Sequence, residues 1–196
     1  ASETAFLANY SSHMTLENWK GKGKTTDCWR FGFVFTNGYG YDLSSTGKLL
    51  IYHSGDLSWS KIDFENPGES FPEQTRYNVF DSELRFGTSY GTGIKYYLYD
   101  GFALDAGYEH SLVFPKHLVL KWMGTAFTEL LAQRTIDYLG EDYIKETKYF
   151  PVYNFILKNA VSLAFYELRR NQMNWFFDTE PPASYDSFKI GLSFTF

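Results

Sequence analysis

Acidic and basic side chains recur at every second position in several segments, where they alternate with aromatic or aliphatic side chains. Around residue 84, for example, Asp81, Glu83 and Arg85 alternate with Leu84 and Phe86. A period of two places the charges on one face of a β-strand and the apolar side chains on the other. Over the whole chain, the charged face comprises Arg30, Asp81, Glu83, Arg85, Lys95, Asp105 and Glu109. Because isolated buried charge is costly, these opposite charges predict a paired polar network.

Histidine and serine could support nucleophilic or acid–base chemistry, but their spacing does not favour it. His110 and Ser111 are adjacent, so in a strand they point to opposite faces. Ser11 and His13 share a face and would need an acid at the same depth. His53 and His110 fall on predicted apolar faces, and the histidine spacing matches no helical zinc motif. We therefore predict no catalytic residues, no metal ligands and no cofactor.

Composition narrows the class of protein. The 196 residues fit one domain, residues 1–196, and the net charge of -5 has the wrong sign for binding nucleic acid. Aromatic residues make up 20% of the chain, yet no stretch approaches the roughly 18 to 20 apolar residues of a spanning helix. A membrane protein of this composition would be a β-barrel, because in lipid only helices and closed barrels satisfy the backbone. Cys28 is the only cysteine, which excludes an intrachain disulfide.

The alternating segments contain unusually aromatic faces. One segment runs from Trp29 to Leu43, and its phase continues through Asn37 and Gly38, so we predict one long strand there instead of a hairpin. The apolar faces of this strand and of the last one carry Trp29, Phe31, Phe33, Phe35, Phe188, Ile190, Leu192 and Phe194. In a transmembrane barrel these side chains face lipid and the charges face the lumen. In a soluble sandwich or barrel they would face a core or an apolar ligand.

The final segment carries a more specific signal. Its sequence FKIGLSFTF alternates apolar and polar residues and closes on Phe196. It resembles the C-terminal assembly signal of bacterial outer-membrane β-barrel proteins. The resemblance implies a location in the bacterial outer membrane, contact with membrane lipid and lipopolysaccharide, and recognition of this strand by the barrel assembly machinery.

The alternating segments and turn residues predict an all-β, antiparallel transmembrane β-barrel of about 10 strands, with 8 strands as an alternative. The predicted strands are 4–13, 28–44, 48–61, 76–88, 91–99, 102–114, 117–123, 149–157, 160–169 and 187–196. Short turns are expected at 45–47, 89–90, 115–116 and 158–159, and at Asp100–Gly101. If both termini are periplasmic, the longer connections, 14–27, 62–75, 124–148 and 170–186, would all lie on the outer side.

One segment, residues 124–148, breaks the alternation and forms a helical insertion. The spacing of Phe127, Leu130, Leu131 and Ile136 predicts a helix from Thr125 to Gly140. Such a helix would support the barrel rim or act as a lid or plug.

Together these features predict a non-catalytic outer-membrane barrel. It would form a narrow or gated pathway for small solutes, or have a structural or surface-interaction role. Two alternatives are an outer-membrane enzyme that modifies lipid A or phospholipid, and a soluble β-barrel that binds an apolar ligand.

Overall fold

A computed structural model of the protein describes residues 2–17, 23–43, 47–64, 78–99, 101–117, 119–143, 147–172, 177 and 179–194. These residues form a mostly-β fold with six strands and two helices. The elements are β1 (Ser2–Glu17), β2 (Gly23–Asp42), β3 (Lys48–Phe64), β4 (Leu84–Tyr99), β5 (Phe102–Val113), α1 (Val119–Tyr143), α2 (Phe150–Asn171) and β6 (Ala183–Phe194).

The six strands form one antiparallel sheet in chain order, with each strand paired to the next. At its edges, β1 meets β6 at a single residue pair, Glu17 with Ser184. Side chains of β2 also reach those of β5 and β6, which are not its neighbours, so the sheet curls around one face. We call this concave side the polar face, since it carries Arg30, and the convex side the outer face, since it carries Phe33.

Two predictions from alternation are confirmed. The strand β2 continues through Asn37 and Gly38 without a turn, pairing with β3 up to Asp42. The chain then reverses between β4 and β5 at Gly101, whose φ of 97° is a conformation that favours glycine. Where one face of a strand packs and the other does not, a period of two specifies the register strongly.

The segment before β4 differs from its prediction. Ser89 and Tyr90 lie inside β4 and form no turn, so the predicted strands 76–88 and 91–99 are one strand that begins at Leu84. Ser82 has a φ of 57°, which bends the chain there and ends the alternation. Asp81 and Glu83 therefore precede the strand, although the sequence placed them within it.

The predicted strands 149–157 and 160–169 are wrong, because these residues form the helix α2. Pro151 occupies the first turn of this helix, where its missing N–H costs nothing. The buried residues of α2 recur three or four positions apart, at Phe150, Asn154, Lys158, Ser162, Tyr166 and Arg169. The predicted strand 117–123 is wrong as well, since α1 begins at Val119. A barrel of about ten or eight strands is thus not confirmed: the described residues hold six.

The predicted helix from Thr125 to Gly140 is confirmed as part of the longer α1. It runs antiparallel to α2, since Glu129 contacts Arg169 while Asp137 contacts Lys158. This helical hairpin lies on the outer face of the sheet beside β2 to β5, where Tyr90 bonds Asn159 of α2. Within the described part of the chain, neither helix is long and apolar enough to cross a membrane.

Candidate functional site

The polar face holds a charge cluster centred on Arg30, which is only 5% exposed. One guanidinium nitrogen, Nη2, lies 2.6 Å from a Glu109 oxygen and 3.6 Å from an Asp56 oxygen. The other, Nη1, donates to the hydroxyls of Ser111 and Tyr185, each at 2.9 Å. Strands β2, β3, β5 and β6 each supply a member, so this one arginine links four strands across the curled sheet.

Two further cations complete the cluster. Lys189 donates to the second carboxylate oxygen of Glu109. Lys95 lies 4.0 Å from Asp105, which also accepts a 2.7 Å hydrogen bond from the phenol of Tyr52. The charge cluster therefore contains three cations and three anions, namely Arg30, Lys95, Lys189, Asp56, Asp105 and Glu109. Arg30, Lys95, Asp56 and Glu109 are buried, two of each sign, so their charges balance, while Lys189 and Asp105 are partly exposed.

The space around the charge cluster is small. Two cavities of about 110 and 160 Å³ lie on the polar face, and both are lined by Glu109 and Lys189. Their common border is therefore this ion pair. Tyr52 also crosses the face so closely that a side chain at Gly93 or Gly107 would collide with its hydroxyl. Among the described residues, these contacts narrow the space on the polar face.

Of the seven charges predicted to share the polar face, four join the charge cluster: Arg30, Lys95, Asp105 and Glu109. Asp81 does not, because it turns back to accept the backbone N–H of Phe64 at 3.1 Å. Glu83 is exposed, in the segment before β4. Arg85 lies at the start of β4, where its buried Nε has no hydrogen-bond partner among the described residues.

The outer face carries the predicted aromatic and aliphatic side chains, and most of them are open to the surroundings. Exposed members are Trp29, Phe31, Phe33, Phe35, Phe188, Ile190 and Leu192. Phe188 is 85% exposed and Ile190 92%, values more typical of surface lysines than of large apolar residues. Phe194 ends β6, and its side chain is outside the described residues. The soluble alternative required these aromatic side chains to face inward, which is the opposite of their position here.

The helical hairpin also has exposed apolar side chains and covered charged ones. Between its helices, Arg169 lies 2.8 Å from Glu129, and Lys158 lies 2.6 Å from Asp137. Facing away from the sheet are exposed apolar side chains, including Leu120, Phe127, Leu131, Ile156 and Leu157. Two ion pairs are thus covered between the helices, while many apolar side chains of the hairpin are exposed.

Asp137 shows how strongly the interface favours ionised groups. Burial raises the pKa of Asp137, but hydrogen bonds from Lys158 and Asn154 outweigh that effect and hold the pKa below its usual value. The phenol of Tyr39 on β2 adds a third hydrogen bond, of 3.2 Å. This carboxylate therefore joins both helices to the sheet.

A cavity of about 420 Å³ separates the hairpin from the outer face of the sheet. Polar groups of Trp122, Glu129, Gln133, Ser162 and Arg169 line one part of it. Its apolar lining includes Phe35, Leu57, Leu112 and Leu130. The volume lies within the range of about 300–1,000 Å³ that is typical of small-molecule sites.

The hairpin also explains why two histidines lie on the apolar side of the sheet. His53 lines the cavity and is only 6% exposed, since α1 and α2 cover it. His110 is 2.8 Å from Asp186 and contacts the ring of Tyr166. Both side chains are shielded by the helices, which sequence periodicity alone did not reveal.

Sequence reasoning missed the cavity, because it assigned Trp122, Ser162 and Arg169 to strands, although Glu129 and Gln133 lie in the predicted helix. A signal was present, since Asn154, Lys158 and Ser162 are four residues apart and Tyr166 follows at the same interval. That spacing places all four on one face of a helix. Glu129, Gln133 and Asp137 share the same spacing in α1 and meet them.

The hydroxyl of Ser162 in the cavity is hydrogen-bonded to groups other than histidine. Ser162 donates to Glu129 at 3.0 Å and accepts from Gln133 at 2.6 Å, so no histidine takes its proton. Among the described residues, no group of three His, Cys, Asp or Glu side chains could hold a metal ion.

Comparisons with protein-family models, with curated proteins and with solved structures give no match for this chain.

Proposed function

We propose that this protein is an integral β-barrel of the bacterial outer membrane, with a non-catalytic role and a barrel interior that is closed by its own ion pairs. The main observation behind this proposal is that charged side chains are buried on one side of the sheet while apolar side chains are exposed on the other, the reverse of a protein surrounded by water. Arg30 and Glu109 are almost fully buried on the concave side, while Phe188 and Ile190 are almost fully exposed on the convex side. In water this arrangement would leave a large apolar surface unpaired, whereas in lipid it is the stable one.

Strand length supports the same proposal. The strands contain 12 to 20 residues, and about 9 to 11 residues cross a bilayer at a tilt. The outer membrane is the proposed location because the alternating sequence of β6 resembles the last strand of bacterial outer-membrane barrels. Membrane lipid and lipopolysaccharide are then the surroundings of the outer face, and the assembly machinery is the partner of β6 during insertion.

The side chains on the polar face favour a barrel whose interior is blocked over one with an open pathway for solutes. Glu109 and Lys189 separate the two small cavities, and neither cavity alone is large enough to conduct ions continuously. A small solute would pass only if this pair separated. We therefore propose a closed resting state.

The experiment refolds the chain from urea into phospholipid vesicles and floats the vesicles on a density gradient. The native chain is expected to float with the vesicles, to resist extraction by alkaline carbonate, and to aggregate when detergent is withdrawn without lipid. A chain that stays monomeric in buffer and remains at the bottom of the gradient would contradict the proposal.

Planar bilayers test the closed state. The native chain is expected to give no steady conductance. A double variant, Glu109→Ala with Lys189→Ala, removes one charge of each sign and joins the two cavities, so it should produce measurable current. Steady conductance by the native chain would contradict the closed state. The exposed pair Lys116 and Glu180, 2.9 Å apart, gives the matched control, and its removal should leave the bilayer silent.

A further inference from the structure

The cavity between the helical hairpin and the sheet is lined by two residues whose buried hydrogen-bond donors have no partner among the described residues. One is Nη2 of Arg169 and the other is the indole Nε1 of Trp122. Both residues line the cavity, and Arg169 is only 6% exposed. A buried donor without a partner is costly, so this pair indicates an acceptor that occupies the cavity.

The charges beside these donors limit what the acceptor can be. Arg169 is already paired with Glu129, whose other carboxylate oxygen accepts from Ser162. An anionic ligand would therefore place a second negative charge beside the Glu129 carboxylate. An uncharged oxygen, such as a carbonyl, can accept both hydrogen bonds without that repulsion.

The rest of the cavity suits a hydrocarbon chain. Leu57 and Leu112 line it from the sheet, while Leu130 lines it from α1. Leu130 and Phe35 also are about half exposed at the outer surface, so the cavity opens on the apolar side of the protein. A ligand can enter there from lipid without crossing water.

From these observations we infer that the cavity binds an uncharged acyl ester or amide, whose carbonyl oxygen accepts from Arg169 and Trp122 and whose acyl chain lies against the leucines. The class includes monoacylglycerols and the acyl groups of membrane lipids. This inference rests on the proposed membrane location, because the bilayer is the source of the ligand.

Fluorescence quenching by brominated lipids tests the inference. The native chain is placed in nanodiscs of diether phosphatidylcholine, which contains no carbonyl groups. It is then titrated with a monoacylglycerol brominated on its chain, and separately with the matching brominated alkyl glycerol ether. The fluorescence of Trp122 is obtained by subtracting the tryptophan emission of the Trp122→Phe variant from that of the native chain.

We expect the ester to quench Trp122 at a mole fraction roughly tenfold lower than the ether, the ratio expected for one or two additional hydrogen bonds. Equal quenching by ester and ether would overturn the inference, and so would a failure of both to quench Trp122. Tighter quenching by a brominated fatty acid would also overturn it, since that result would assign an anionic ligand.

A double variant, Arg169→Met with Glu129→Gln, removes the guanidinium donor without leaving a buried charge unpaired, and it should reduce the preference for the ester, since Trp122 remains. The matched control is Arg134→Met with Glu167→Gln, which changes exposed residues on the same two helices and should preserve the preference. An ester preference as large in the first double variant as in the native chain would contradict the role of Arg169.

Quenching of Trp29 fluorescence shows whether a negative result concerns the ligand or the membrane location. Trp29 is 57% exposed on the outer face, so every brominated lipid should quench it if the protein lies in the bilayer. Quenching of Trp29 without any preference at Trp122 would overturn only the ligand. Absence of quenching at Trp29 would overturn the membrane location.

Discussion

The charge cluster of the polar face and the polar interface of the hairpin both contain a buried arginine, but the two differ in how many terminal nitrogens of that arginine are hydrogen-bonded. Arg30 uses both terminal nitrogens of its guanidinium group and contacts Asp56, Glu109, Ser111 and Tyr185. Arg169 contacts Glu129 and Thr125, and its Nη2 has no hydrogen-bond partner among the described residues. Arg30 has both terminal nitrogens bonded within the protein, which suits a structural role, although Oδ2 of Asp56 has no hydrogen-bond partner among the described residues. Arg169 leaves a donor for a ligand, which suits a binding site.

The largest effect should come from the centre of the charge cluster. Replacing Arg30 by Met leaves Asp56 and Glu109 buried without their main counter-charge, and should destabilise the fold by about 3–5 kcal/mol. Unfolding by urea in detergent micelles, followed by tryptophan emission, measures this change. The control is Lys61→Met, since Lys61 is exposed and lies 3.4 Å from the exposed Asp63. Lys61→Met should lower the free energy of unfolding by less than about 1 kcal/mol. Equal losses for Arg30→Met and Lys61→Met would contradict a structural role for the charge cluster.

A second change sharpens the contrast between the two faces of the sheet. Phe33 lies half exposed on the outer face, and its replacement by Arg should cost about 2–4 kcal/mol if lipid covers that face. On a water-exposed face the same substitution would change stability by only about 0.5 kcal/mol. Unfolding from vesicles distinguishes the two outcomes. Phe33→Leu, which keeps the residue apolar, should remain close to the native stability.

In the hairpin, the pair of Asp137 and Lys158 should give a smaller and strongly non-additive effect. We expect Asp137→Asn and Lys158→Met each to cost about 1–3 kcal/mol, because each leaves a partner without its counter-charge. Their combination should cost less than the sum. A double-mutant cycle measures the coupling. The pair of Glu167 and Arg170, which is more exposed and 3.6 Å apart, should show coupling of less than about 0.5 kcal/mol. Additive costs at Asp137 and Lys158 would show that the ion pair does not join the helices.

The smallest effect concerns pH. The pKa of Asp137 is lower in the folded protein than in the unfolded chain, despite the opposing effect of burial, since Lys158 and Asn154 bond its carboxylate. Its contribution to stability is therefore fully present above about pH 4, the ordinary pKa of an aspartate, and is lost as the pH falls through the lowered value. Free energies of unfolding for the native chain and Asp137→Asn should converge below pH 4. Convergence between pH 7 and pH 5 would contradict this assignment.

The strands of the sheet could be predicted from the sequence because their alternation persists over many residues. In β2, the aromatic residues from Trp29 to Phe35 occupy every second position, so they all lie on the same face of the strand. Asp81 and Glu83 were misplaced because the reversal at Ser82 is a backbone conformation that the pattern does not encode. Local periodicity therefore predicts faces better than it predicts ends.

The hairpin could be predicted only in part. Helix α2 contains many aromatic and aliphatic residues on its exposed side, which masked the four-residue spacing of Asn154, Lys158 and Ser162. The cavity was beyond prediction, since it forms where Trp122 and Arg169 meet the outer face of a sheet distant in sequence. Contacts of that kind depend on how the helices pack against the strands, and no local pattern records them.

The central claim is that lipid covers the outer face while the charge cluster closes the polar face. Two spin labels, introduced singly at positions 33 and 34 in a Cys28→Ser background, test it on adjacent residues of β2 that point to opposite faces. Relaxation by molecular oxygen and by a water-soluble nickel complex is measured for each label in phospholipid vesicles. The account predicts that the label at 33 is relaxed strongly by oxygen and weakly by nickel, and that the label at 34 is shielded from both. A label at 33 that nickel reaches as readily as it reaches a free label in water would contradict the account.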